Sequence, residues 1–291
     1  MLEFLLSHRE KIMRNTNSSL PVVHFAQLDV LRFLAAFMII IDHAYLGWCG
    51  WFGTPAFLTK GDSTDLSTIG SWVESVIMNL GIGVDLFFLI SGFLITYILL
   101  AEKEKAGRIN IKNFFIRRIL RIWPLYFFLI GIAPFLVSWL NNPKPEYWPT
   151  ILFINNFYTI KTGEWQFPFM HFWSICIEEH FYLIWPFVIA FIPTKKLPIA
   201  FALLVMCCII FRGYMAYTNP TAEVLFFMHT ISRIDVLILG GVIGYIHHKN
   251  PITVTFPAWF RVVIYSSLLA FLASSHITPG VYTIPSACFR K

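Results

Sequence analysis

Leu28-Asp29-Val30-Leu31-Arg32-Phe33-Leu34-Ala35-Ala36-Phe37-Met38-Ile39-Ile40-Ile41-Asp42-His43 is the stretch that decides the fold. With the residues up to Trp48 it makes an apolar run long enough to cross a bilayer, which takes about 20 residues as helix. Arg32 and His43 stand inside that run. A guanidinium in a lipid-embedded helix costs roughly 2.5–3.5 kcal/mol on insertion scales, so such a residue points to function. Eleven residues are close to three helical turns, so both side chains share one stripe about 16 Å apart along the axis. One helix thus carries a fixed cation near one membrane face and a titratable base deeper in.

The rest of the chain agrees with a membrane location. Hydrophobic residues make up 57% of the 291 and charged residues only 13%, about half the charged share of a soluble domain. The net charge of +6 is modest, and its distribution between segments argues for topology and against nucleic acid. The five cysteines show neither a disulfide framework nor metal-ligand spacing: Cys49 and Cys288 stand alone, Cys176 lies in an apolar helix, and Cys207 and Cys208 fall on opposite sides of another. Near the N-terminus the apolar patch from Met1 to Leu6 precedes His8, Arg9, Lys11 and Arg14. A signal peptide has the reverse order, so the first span is expected to be retained, with Met13 an alternative start.

Spans are expected near 28–48, 76–100, 119–140, 171–192, 197–217, 224–246 and 259–276. Arg9, Lys11 and Arg14 precede the first span. Lys103, Lys105, Arg108, Lys112, Arg117 and Arg118 separate the second from the third. Lys195 and Lys196 separate the fourth from the fifth, and Lys249 and Arg261 the sixth from the seventh. The alternate loops are poor in Lys and Arg, which places the N-terminus in the cytoplasm. The apolar stretch Ile151–Tyr158 is interrupted by Asn155 and Asn156 and is too short to span, so it reads as a re-entrant or interfacial piece. With no internal repeat, the expected organisation is a cytoplasmic segment over 1–27 and one all-α transmembrane bundle over 28–291.

Three further groups of residues could carry chemistry. Arg117, Arg118 and Arg121 fall within about 100° of helical arc. They suit either a topology anchor or a phosphorylated ligand gripped by bidentate guanidinium contacts. In His171-Phe172-Trp173-Ser174-Ile175-Cys176-Ile177-Glu178-Glu179-His180, His171 and Glu178 share a face while Glu179 points about 100° away. These carboxylates could orient a histidine of another helix, receive substrate hydroxyls, or pair with Arg32 or Arg233. Arg233 and Asp235 face nearly opposite sides of their helix and each needs a partner elsewhere. Gly81, Gly83, Ser91 and Gly92, around Asp85, read as small residues for close helix packing.

Taken together and in order, these segments resemble the membrane-bound acyltransferase-3 family, the O-acyltransferases of bacterial surface glycans. The resemblance is carried by an Arg and a His separated by ten residues (Arg32, His43) and by Gly-Val-Asp-Leu-Phe-Phe-Leu-Ile-Ser-Gly-Phe-Leu over 83–94. It continues with Arg118-x-x-Arg121 followed by Trp123-Pro124-Leu125-Tyr126, with Trp173-Ser174 leading to Glu178-Glu179-x-Phe181-Tyr182-Leu183, and with Arg233-Ile234-Asp235.

The resemblance implies that acyl-CoA, usually acetyl-CoA, enters from the cytoplasm with its phosphates on Arg118 and Arg121, Arg117 assisting. His43 would serve as general base or transient acyl carrier, Arg32 would position the donor or stabilise the thioester oxyanion, and Glu178 or Glu179 would orient His43 or the acceptor. Asp85, Ser91, Arg233 and Asp235 would support the site. No metal and no permanently bound cofactor is implied, since a thioester already carries a good leaving group. The partners are acyl-CoA, a saccharide acceptor and the bilayer of the bacterial inner membrane.

This sequence departs from the family pattern at His180, where Gln is usual, and at Cys176, where a small residue is usual. It also ends after fewer spans than family members carry, which reads as a C-terminally short chain. The alternatives are a transporter or flippase of a polar or lipid-linked solute, which would be expected to show repeated halves, and an inactive truncated remnant.

Overall fold

Helices form wherever the sequence offers long apolar runs, because in lipid each backbone N–H and C=O must be satisfied within its own segment. The computed structural model describes residues 25–52, 69–219 and 223–251, with positions 257, 259, 263 and 266 beyond them. In chain order the helices are α1 (Ala26–Phe52), α2 (Ile69–Met78), α3 (Gly83–Ala106), α4 (Ile111–Trp139), α5 (Trp148–Ile151), α6 (Asn155–Thr162), α7 (Phe172–Phe191), α8 (Leu197–Thr218), α9 (Glu223–Met228) and α10 (Thr230–Lys249). Short 3-10 turns precede α3, α7 and α8. The described residues form no strand.

Five helical stretches are long and apolar enough to cross a bilayer: Ser75–Ala106, Ile111–Trp139, Phe169–Phe191, Thr194–Thr218 and Thr230–Lys249. α1 covers the charged run 28–48 as a further long helix. One expectation needs correction. The span expected over 224–246 is broken at His229, whose extended backbone and Nδ1, accepting from Ile231 N at 3.2 Å, start α10 afresh. The span expected near 119–140 falls almost entirely within α4, whose helix begins earlier, at Ile111, where the Asn110 side chain caps Asn113 N. Arg117, Arg118 and Arg121 all therefore sit within the helix. The span expected over 259–276 lies outside the described residues apart from the isolated positions named above.

α3 and α10 form the centre of the bundle. Their backbones touch at Gly92 and Gly240, where an added Cβ would overlap the carbonyl oxygens of Leu237 and Leu89 respectively. Small residues are what allow helices in lipid to approach this closely. α1, α7 and α8 surround this pair, and the core between them is built on Phe88, Ile95, Leu99, Ile177, Phe181, Trp185, Phe201 and Leu237. α4 stands further out and shows Phe128, Phe135 and Trp139 on its surface, an apolar face suited to lipid.

The stretch around Asn155 and Asn156 folds as the short helices α5 and α6. Both asparagines are buried. Asn155 Nδ2 donates to Phe169 O at 3.0 Å, and Asn156 Nδ2 donates to Met228 O at 3.1 Å and Thr230 Oγ1 at 3.0 Å. The residues that interrupt the apolar run are thus the ones that fasten it to the starts of α7 and α10.

Candidate active site

Arg32 and His43 serve two different parts of one site. Arg32, six residues into α1, lies 3.5 Å from Asp29 and lines a cavity of about 290 Å³. Across that cavity stand Phe87 and Ser91 of α3, Arg118, Arg121, Ile122, Leu125, Tyr126 and Leu129 of α4, and Ile175, Glu178 and Tyr182 of α7. The cavity is long. From Arg118 to Leu129 it follows α4 for about 16 Å, and Ile175 at its far end is about 6 Å along α7 from His171. α1 and α7 run antiparallel beside it: His43 meets His171, while Arg32 shares the cavity with Glu178 and Tyr182.

The three α4 arginines divide. Arg118 is held between aromatic rings, its Cζ 5.0 Å from the Tyr182 centroid and 5.7 Å from that of Phe114, close enough for cation–π attraction. Arg121 is exposed at the cavity rim. Arg117 points elsewhere and lies 3.4 Å from Glu102, whose other oxygen accepts from Asn110 N at 2.8 Å. The structure therefore groups Arg32, Arg118 and Arg121, not the expected trio of neighbours on one helix.

The two carboxylates also separate. Glu178 Oε1 accepts from Ser91 Oγ at 2.9 Å, within the cavity. Glu179 Oε2 accepts from Trp123 Nε1 at 3.4 Å, and its Oε1 has no hydrogen-bond partner among the described residues. Neither contacts His43. That histidine donates from Nδ1 to Ile39 O at 2.8 Å, which fixes the proton on Nδ1, since a carbonyl can only accept. Nε2 is left with its lone pair. Asp42 is buried with its Oδ2 3.3 Å from the same Nδ1, and neither of its oxygens takes a hydrogen bond among the described residues. The carboxyl group beside His43 is thus that of Asp42, whereas Glu178 and Glu179 were expected to orient either His43 or the acceptor. The His171 ring packs edge-to-face on His43 with centroids 4.1 Å apart.

Arg233 and Asp235 each find a partner on another helix, as their opposite facing requires. Arg233 pairs with Asp85 of α3 at 2.5 Å, and Asp235 with Arg212 of α8 at 2.7 Å. These pairs tie α10 to its neighbours and lie outside the cavity lining. No group of three or more His, Cys, Asp or Glu side chains suited to a metal occurs among the described residues.

The sequence names Trp123 and Tyr182 only as parts of motifs, without a role at the site, and gives Asp42 no role. Asp42 offered one available clue, a carboxylate adjacent to a histidine in an apolar run. Nothing local marks Tyr182 as the ring that packs on Arg118, because an aromatic at helical spacing in an apolar helix reads as core.

A membrane helical bundle enclosing a cationic cavity, with a pinned histidine beyond its end, defines the class. The chain belongs to the acyltransferase-3 family: the family's acyltransferase domain matches residues 25–288. Among curated proteins it is similar to the peptidoglycan O-acetyltransferase OatA of Listeria monocytogenes, at 35% identity over 130 residues, 40% of this chain and 21% of that protein. It is also similar to O-acetyltransferase OatA of Staphylococcus aureus, at 31% identity over 181 residues, 57% of this chain and 30% of that one. The matches span less than a third of either relative. No solved structure matches the chain.

Proposed function

We propose that this chain is an integral membrane O-acetyltransferase moving an acyl group, acetyl in the first instance, from acyl-CoA to a hydroxyl of a cell-surface or lipid-linked saccharide. The observation that carries this reading is the long cavity with guanidinia of two helices at one end and, beyond the other, His43, whose Nε2 has no partner among the described residues. Arg32 and His43 are about 16 Å apart along α1, a span suited to the extended pantetheine arm between the phosphates and the thioester of an acyl-CoA. Family membership and the names of the relatives point the same way.

In this reading Arg121, at the rim, and Arg118, deeper, receive the phosphates, and Arg32 steadies the donor from α1. The acceptor hydroxyl gives its proton to His43 Nε2 while its oxygen attacks the thioester carbonyl. The new C–O bond forms, the C–S bond breaks, and CoA leaves as the thiolate. Asp42 stabilises the imidazolium until the proton passes to water, the part a buried carboxylate plays beside a catalytic histidine. The Ser91–Glu178 pair holds the cavity wall in register, and Glu179 does the same for Trp123. The basic α3–α4 connection would face the cytoplasm of the bacterial inner membrane, so the donor enters from that side.

The test is transfer of radiolabelled acetyl-CoA by the purified full chain in detergent, with His43→Ala beside it. General-base contributions of about 10²–10⁴-fold predict label transfer by the parent and near-background transfer by a folded variant. Equal transfer by both would remove His43 from the chemistry.

A further inference from the structure

The end of the site beyond the cavity has a second imidazole that the proposed chemistry leaves unused. His171 sits at the entrance to α7, where a 3-10 turn over Phe169–His171 leads into the helix. It is exposed, although its chain neighbours Phe172 and Trp173 are buried. Its ring is 4.1 Å from that of His43 and inclined at 73° to it. Among the described residues neither ring nitrogen of His171 has a hydrogen-bond partner. Nor does His43 Nε2, because Ile39 O and Asp42 engage only Nδ1. Two adjacent imidazoles therefore present unspent donors and acceptors at an exposed edge, on the opposite side of the reacting position from the guanidinia.

An ion pair between the two rings is not the reason they meet, since both carry the same charge when protonated. A shared metal ion is not favoured either. Among the described residues the carboxylate beside this pair, Asp42, is buried on the Nδ1 side of His43, and no group of three or more His, Cys, Asp or Glu suited to a metal forms there. Uncharged neighbouring hydroxyls are what suit this edge. One can give its proton to Nε2 of His43 while the next exchanges a hydrogen bond with His171, which as neutral imidazole both donates and accepts.

The geometry points to His171 as an acceptor-binding residue that seats a saccharide diol against His43. This inference rests on the transferase reading and adds the acceptor half of the site: donor at the arginines, acceptor at the histidine pair. His171 takes no part in thioester cleavage itself. Its loss separates two rates that a merely structural role would change together.

The experiment uses the full chain in detergent with acetyl-CoA as donor, and compares parent, His171→Ala, His171→Gln and His43→Ala. Hydrolysis of the thioester by water is followed alongside transfer to chitopentaose over a range of concentrations. The expected result is that His171→Ala raises the chitopentaose KM about three- to tenfold, the value of one neutral hydrogen bond. Its donor KM and water hydrolysis should stay within about twofold of the parent on the same scale, and His171→Gln, which keeps a hydrogen-bonding group, should recover part of the loss. An unchanged chitopentaose KM overturns the assignment, as does a parallel fall in hydrolysis and transfer. A parent that cleaves the thioester without acylating chitopentaose overturns the saccharide as occupant. No cleavage by the parent, or equal cleavage by His43→Ala, instead brings down the transferase reading beneath it.

Discussion

At the scale of single residues the site is sorted by what each charge finds nearby. Arg117 and Arg121 are four residues apart on one helix, and the resemblance gave Arg117 an assisting part beside Arg121. Arg117 is spent on Glu102, whereas Arg121 lines the cavity rim and makes no ion pair among the described residues. Arg121→Ala is accordingly expected to raise the acetyl-CoA KM about tenfold or more, the size of a charge-assisted hydrogen bond. Arg117→Ala should leave it within about twofold on the same scale. Steady-state kinetics of the two variants checks this, and equal effects would return both to the role of membrane anchors. The separation of Glu178 from Glu179 is legible in part, because adjacent helical residues cannot face one way. That Ser91 and Trp123 are their respective partners is not, since it depends on how α3 and α4 are rotated.

Among elements, the α3–α10 contact carries the bundle. Gly240 meets the Leu89 backbone, and Gly131 of α4 has nothing within 4 Å of where a Cβ would sit. Gly240→Ala must push the two helices apart, an overpacking change that typically costs about 1–3 kcal/mol. Gly131→Ala should be neutral or slightly stabilising through helix propensity. Unfolding of both variants in detergent distinguishes them, and matching stabilities would show that the close approach is not needed. α7 is secured differently. Lys103 Nζ donates to Ile189 O at 2.6 Å, Ala190 O at 3.1 Å and Ile192 O at 2.8 Å, satisfying carbonyls that a helix end leaves open. A lysine read from the sequence as a topology marker thus also holds the end of the helix that bears Glu178 and Glu179.

The whole molecule is two-sided. The cavity holds Arg32, Arg118 and Arg121, and the His43–His171 pair lies beyond its other end, so in the proposed reading donor and acceptor approach from opposite faces. Single cysteines placed at Lys112 and at Thr162, both exposed, in a background with the native cysteines replaced, report this directly. A membrane-impermeant thiol reagent is expected to label the Thr162 position in intact cells and the Lys112 position only after the membrane is opened. Labelling of both from the same side would overturn the proposed topology and the donor route with it.

Sequence alone determined the helical class, the spacing of Arg32 and His43, and the need of Arg233 and Asp235 for partners on other helices. Each of these follows from local quantities: run length against bilayer thickness, rise per residue, and the angle between neighbours on a helix. Only the tertiary structure decided which arginines share the cavity, that Asp42 rather than a glutamate accompanies His43, and that His171 stands against it. Those outcomes depend on the rotation and offset of separate helices, which the glycine contacts of α3 and α10 and the asparagine ties of α6 set from afar, and which no local spacing encodes.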